Sequence, residues 1–171
     1  MAWEMVGYGH HKLEALIMID IGMKVPVFET TNEKGHAVSY PSDFKDKHVV
    51  LYFYPKDNTP GCTIEAKEFS EKKSIFESLD TVILGVSKDS ESSHQRFCEK
   101  QGLEITLLSD PDMSIIQPYG VWQEKKNYGK TYMGIVRTTY LIHKEGYVVK
   151  SWKHVKVKGH VEAVLDEVKA L

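Results

Sequence analysis

The stretch His48-Val-Val-Leu-Tyr-Phe-Tyr54, followed by Pro55-Lys56-Asp57-Asn58-Thr59-Pro60-Gly61-Cys62-Thr63-Ile64-Glu65, decides the fold. After its histidine the first part is a continuous apolar and aromatic run that stops at a proline. A strand buried on both faces reads this way. The second part reads as a helix start. Thr59 suits the N-cap, where a hydroxyl accepts from free backbone N–H groups. Pro60 suits the first helical position, where no donor is needed. A buried strand feeding a helix is the first half of a crossover, and crossovers join parallel strands.

Working outward, residues 60–79 fit a helix with Ala66, Phe69, Phe76 and Leu79 on one face. Thr81–Ser87 is a second buried strand. Residues 90–101 read as a helix capped by Asp89 or Ser90, Ile105–Leu108 as a third strand, and residues 113–119 as a short helix. Before the central strand, residues 25–31 and 36–40 are short β pieces around the turn signal Asn32-Glu33-Lys34-Gly35. Ser42-Asp43-Phe44 reads as a turn or short helix. Towards the C-terminus, Val136–Ile142 and Tyr147–Trp152 make a hairpin about Lys144-Glu145-Gly146. The last helix carries Val161, Val164, Leu165 and Val168 on one stripe. Alternation followed by a hairpin predicts an α/β fold. Its mixed central β-sheet is flanked by helices on both faces, the thioredoxin-like architecture. Residues 18–171 form one domain. Residues 1–17 look unlike the rest and are expected to be an N-terminal extension, disordered or non-native.

Bulk composition narrows the function. The chain has 171 residues, enough to bury roughly two thirds of its unfolded surface without a disulfide or metal staple. A net charge of −2 provides no basic field for nucleic acid or an anionic membrane. Charge runs such as Lys45-Asp46-Lys47 read as solvated faces. There is no signal-peptide pattern, and the run Ala15-Leu16-Ile17-Met18-Ile19 is too short to span a bilayer. These features predict a cytoplasmic protein. In that compartment cysteines are more often catalytic or redox-sensing than structural.

There are two cysteines, Cys62 and Cys98. Cys62 falls in the first turn of the predicted helix. Unpaired N–H groups and the positive end of the helix dipole favour the thiolate there. A packed core cysteine is the plain alternative, and position alone does not separate the two.

Pro55, Thr59 and Cys62 give the spacing Pro-x-x-x-Thr-x-x-Cys, which resembles the active-site motif of the peroxiredoxins. The wording Tyr-Phe-Tyr-Pro-Lys-Asp-x-Thr-Pro-Gly-Cys-Thr resembles their Q-type branch, also called bacterioferritin-comigratory proteins. The likeness covers residues 18–171 and includes Leu108-Ser109-Asp110, Tyr119-Gly120-Val121-Trp122 and Gly134-Ile135-Val136-Arg137. The resemblance implies a thiol peroxidase acting on hydrogen peroxide and organic hydroperoxides. Cys62 would be the peroxidatic cysteine and pass through a sulfenic acid. Thr59 would hold the peroxide and the thiolate. Arg137 would stabilise the thiolate and polarise the O–O bond, and Pro55 would shield the site. Glu65 matches a recurrent family position behind these groups. No metal or organic cofactor is implied. The reductant would be thioredoxin or a similar thiol, and the chain would be a monomer or weak homodimer.

Many Q-type members place the resolving cysteine one helical turn after the first, where this chain has Lys67. A second subgroup carries it on the next helix, so Cys98 looks like the resolving residue. A disulfide needs Cα atoms within about 7 Å, so two helices would have to open. Ser92 and Ser93 weaken the start of the second helix. The alternatives are a core Cys98 with an external thiol as resolver, and a peroxide sensor that passes its oxidation to a partner. A thioredoxin-like reductase would need Cys-x-x-Cys, and position 65 is Glu. His94 and Cys98 lie one turn apart but lack further ligands for a metal. Asn127-Tyr128-Gly129-Lys130 lacks the glycine-rich strand–helix junction of a phosphate loop. Tyr119 and Trp122 read as packing residues near the pocket rim.

Overall fold

The computed structural model describes residues 19–171, so the expectation for residues 1–17 lies outside the described residues. The central apolar run is strand β3 (His48–Phe53). It is parallel to β4 (Thr81–Ser87) on one side and antiparallel to β8 (Thr138–Ile142) on the other. Sheet neighbours on both edges and cover on both faces explain why its sequence does not alternate. The crossover is helix α1 (Pro60–Ser78). A second crossover, α2 (Glu91–Gln101), leads to β5 (Thr106–Ser109), parallel to β4. The hairpin β1 (Phe28–Asn32) and β2 (Ala37–Tyr40) adds to β5, and β9 (Val148–Trp152) adds to β8. The seven-stranded order is β2-β1-β5-β4-β3-β8-β9, and α3 (His160–Lys169) closes the chain. This is the mixed, thioredoxin-like sheet expected from the sequence.

Alternate residues of β3 serve two cores. Val50 and Tyr52 face Phe69 and Phe76 of α1, Phe97 of α2, and Val164 and Leu165 of α3. Val49, Leu51 and Phe53 face Phe28, Leu84, Ile115, Ile116 and Tyr119. On that second face the helical cover is a 3₁₀ turn at Ser42–Phe44 and a series of turns over 111–120, not a long helix. Gly85 on β4 lets Tyr52 lie close, because a Cβ there would meet the Tyr52 ring and Leu107 at 2.8 Å. Tyr52 then stacks on Phe69 at 4.7 Å between centroids. Phe69 is fully buried, so Phe69→Ala would cost about 3–5 kcal/mol.

The structure departs from the sequence reading in three places. Residues 113–119 form no regular helix. Met113 has φ 62°, and Pro118 has no N–H to continue the ladder between Gln117 and Tyr119, which bond back to Met113 and Ile115. Residues 122–135 instead form a hairpin, β6 (Trp122–Asn127) with β7 (Lys130–Ile135), that the sequence reading does not predict. Its turn residues Tyr128 and Gly129 have φ 50° and 77°, the two positive values of a type I′ turn. Finally, Val136 and Arg137 are the link between β7 and β8, so Arg137 lies before the strand rather than in it.

Candidate active site

Helix α1 begins where the sequence placed it, with Thr59 as N-cap and Pro60 in the first turn. The capping bond is different from the expectation. The Thr59 hydroxyl donates to the Lys56 carbonyl at 2.8 Å and accepts no helix N–H. The Thr59 carbonyl takes the Thr63 N–H at 2.9 Å and the Thr63 hydroxyl at 2.8 Å. The first turn of α1 therefore receives no side-chain cap. Pro55 sits half-buried at the bend between β3 and α1.

Cys62 is buried, with its thiol free. The Arg137 Nη2 donates to its Sγ at 3.3 Å, and Nη1 donates to Glu65 Oε1 at 2.7 Å. One planar guanidinium thus bridges the sulfur and a carboxylate one turn of helix further on, which its fixed fork permits. Gly61 makes room for it, since a Cβ there would lie 3.3 Å from Nη2. Glu65 is fully buried, and burial pushes its carboxyl up to about 7 against the pull of Arg137. Its Oε2 has no hydrogen-bond partner and lies 3.9 Å from His160 Nε2, which instead meets the Thr139 hydroxyl at 2.8 Å. Burial, then the Arg137 charge, lower His160 to about 4. A neutral His160 therefore faces Glu65 near neutral pH. Lys125, on the unpredicted hairpin, donates to the Ile135 carbonyl at 2.8 Å and is lowered by burial, then by Arg137.

Of the residues singled out from sequence, the structure brings Cys62, Arg137 and Glu65 into contact. Pro55 and Thr59 frame the loop before them. Cys98 lies apart, on α2, half-buried and free, against the same apolar cluster as Cys62. Burial, then Glu33, Asp57 and Glu99, push its thiol up to about 12. Tyr119 is a core residue whose hydroxyl donates to the Pro26 carbonyl at 2.6 Å, and Trp122 takes the Lys88 ammonium over its ring.

Sequence reading missed the group around Asp57. Asp57, Asp89 and His94 bring three ligand-type atoms within 4.8 Å of one another. However, His94 Nδ1 is bonded to Asp57 Oδ2 at 2.7 Å and Nε2 to the Leu108 carbonyl at 2.9 Å. The donors are spent on one another, which describes a hydrogen-bonded network.

A buried thiol on a helix start, a guanidinium at its sulfur and no second cysteine in that turn describe a thiol redox protein of the thioredoxin-like class. The sequence matches the AhpC/TSA family over residues 21–151, and the chain belongs to that family. It is similar to the peroxiredoxin Bcp of Bacillus subtilis, 49% identical over 88% of this chain and 96% of that protein. The structure of a cysteine-to-serine mutant of Xylella fastidiosa PrxQ superposes with a TM-score of 0.85 at 38% identity. It covers 90% of this chain and 98% of that one. The bacterioferritin comigratory protein of Xanthomonas campestris gives 0.81 at 38% identity, over 88% and 98%. The activity class is that of a thiol peroxidase. Among the described residues, no helix is long and apolar enough to cross a membrane.

Proposed function

We propose that the chain reduces hydrogen peroxide and organic hydroperoxides with Cys62 as nucleophile and thioredoxin or a similar thiol as reductant. The observation that carries this is the Arg137 guanidinium 3.3 Å from the Cys62 sulfur, anchored behind by Glu65. A fixed cation favours the thiolate and is also aimed at charge developing on a peroxide oxygen. The thiolate attacks the terminal peroxide oxygen and the O–O bond breaks. The sulfur becomes a sulfenic acid and the remaining oxygen leaves, on protonation, as water or an alcohol. The uncapped N–H groups of the first turn donate to the peroxide oxygens, the Thr59 hydroxyl, whose hydrogen goes to the Lys56 carbonyl, accepts from the peroxide O–H, and Pro55 keeps bulk water off the loop. The relative from Xanthomonas campestris is described with alkyl peroxide reduction, which supports organic hydroperoxides as substrates.

Cys98 is the resolving residue in this reading. Its thiol displaces hydroxide from the sulfenic sulfur, giving a Cys62–Cys98 disulfide and water, and two thiols of the reductant restore both cysteines. The protein works in the cytoplasm as a monomer or weak homodimer. One observation favours a second reading: a half-buried thiol raised to about 12 is a poor nucleophile as it stands, so an external thiol could resolve Cys62 directly. Peroxide consumption coupled to thioredoxin separates them. With Cys98→Ser, the first reading expects unchanged formation of the sulfenic acid and a turnover reduced about tenfold or more. Unreduced turnover makes the protein a one-cysteine peroxidase.

A further inference from the structure

Asp57 lies in the loop between β3 and the Cys62 helix, yet its carboxylate is buried and bonded mainly to another element. Oδ2 accepts from the Ser93 hydroxyl at 2.8 Å and from His94 Nδ1 at 2.7 Å, while Oδ1 accepts from the Tyr54 hydroxyl at 2.6 Å. Ser93 and His94 are in the first turn of α2, and Cys98 is one turn beyond His94. The backbone N–H of Asp57 donates to Asp89 Oδ2 at 2.9 Å, and that oxygen also takes the Ser87 hydroxyl at 2.6 Å. The bonds of Asp57 to Asp89, Ser93 and His94 tie the Cys62 loop to the segment that carries, or leads into, the Cys98 helix.

The His94 contact is of the strong kind. Its Nε2 faces a carbonyl, which only accepts, so that nitrogen carries hydrogen. Its Nδ1 meets a carboxylate oxygen, so the His94–Asp57 pair shares one further proton. Such charge-assisted bonds are about twice as strong as neutral ones, more so out of water. Beyond this network α1 packs on β4 and α3 and α2 packs on β5 and β1, while Phe69 of α1 and Phe97 of α2 share one apolar cluster that has no directional bond to hold the α2 start in place.

We propose that Asp57, Ser93 and His94 are positioning residues for the second half of the reaction, forming a latch that pins the Cys98 helix to the Cys62 loop and so sets how fast the sulfenic acid is resolved. This rests on the reading that Cys98 resolves Cys62. While the latch is closed, Cys62 keeps its contact with Arg137 and Cys98 stays against the core. Opening it frees the first turns of α2. The two sulfurs then join, with the sulfenic oxygen leaving as water. The competing fate is attack on a second hydrogen peroxide, in which the sulfenic acid becomes a sulfinic acid and one water is released. The latch therefore fixes the partition between disulfide and sulfinic acid.

Reduced full-length protein is mixed with increasing hydrogen peroxide, quenched with a thiol-alkylating reagent and mapped by mass. The wild type is expected to give a Cys62–Cys98 disulfide at low peroxide and Cys62 sulfinic acid at high peroxide. Ser93→Ala removes one donor and should raise the peroxide needed for half conversion to sulfinic acid about fivefold. Asp57→Asn keeps one oxygen for both α2 donors but loses the charge that strengthens those bonds and the oxygen that accepts from Tyr54, and should raise it more than tenfold. In both variants the amides of α2 should exchange hydrogen faster while those of α3 do not. A general loss of packing would speed exchange in both helices and leave the partition where it is, which would overturn the latch. Should Asp57→Asn fail to fold, Ser93→Ala carries the test alone. Disulfide in the wild type with an unchanged partition and unchanged α2 exchange in Ser93→Ala would overturn the latch alone. No Cys62–Cys98 disulfide in the wild type would overturn both the latch and the resolving role of Cys98.

Discussion

Cys62 and Cys98 sit on helices that cover the same face of the sheet and touch the same apolar cluster, yet their surroundings are opposite in sign. Cys62 is the more buried of the two, at 1% exposure, and has a guanidinium on its sulfur. Cys98 is half-buried, and after burial itself it is the carboxylates of Glu33, Asp57 and Glu99 that push its thiol up. Burial alone would make Cys62 the more inert sulfur. The difference teaches that the fold puts a fixed cation on one sulfur and carboxylates near the other, and in the proposed function that contrast chooses the reacting cysteine.

The sharpest way to break the comparison is to remove the favoured sulfur. Cys62→Ser is expected to abolish peroxide consumption, with Cys98 left as a thiol after exposure to peroxide. If Cys98 took over, its surroundings would not be as inhibitory as described. Next is the cation. Arg137→Ala should slow sulfenic acid formation about 10²-fold, the usual cost of losing one preorganised donor. It also strands the buried Glu65 carboxylate, so stability falls as well. Adding Glu65→Gln should restore stability without restoring the rate, as thermal melts and rapid-mixing kinetics would show. Recovery of both would mean Arg137 acts only through the fold.

A smaller effect concerns pH. The folded-state value of Glu65 is raised from 4.5 to about 7. A raised carboxyl contributes stability that is fully present below 4.5 and is lost as pH rises towards 7. Glu65→Gln, which stays neutral, should therefore gain on the wild type through that window and level off above it. The rise from 4.5 to about 7 corresponds to roughly 3 kcal/mol, so the gain would be on the order of 10 °C in Tm, at about 2–4 °C per kcal/mol for a chain of this size. A Tm difference constant with pH would show that Glu65 does not titrate in this range. The smallest expected change is Gly61→Ala, whose Cβ would displace Nη2 by a few tenths of an ångström. A 1 Å misplacement costs about 10²-fold, so the rate should fall about threefold to fivefold.

The sheet was legible because its central strands carry their burial in composition. Val49–Phe53 and Val82–Val86 leave no polar face to confuse the period. The β6–β7 hairpin was not legible, because Gln123–Asn127 and Lys130–Tyr132 are polar and largely exposed, and the two-residue turn at Tyr128-Gly129 lacks the common Asn-Gly wording. Cys62 and Arg137 were found through the family spacing. Their contact depends on a two-residue link ending β7, which no local pattern encodes. Thr59 was read as a cap from residue type, and only the structure shows its hydroxyl turned back to Lys56. Asp57 and His94 are far apart in sequence, and neither type signals its partner. His94 stood out only through its one-turn spacing to Cys98, on the opposite side of the question from its real contacts.

The most direct measurement is the mass of the reduced protein after one equivalent of hydrogen peroxide, with peptides mapped under non-reducing conditions. Oxidation that begins at Cys62, ending as a peptide linked to Cys98 or as added oxygen on Cys62 alone, is the predicted result. Cys62 remaining a thiol while peroxide persists, or Cys98 oxidising first, would contradict the assignment of the reactive sulfur.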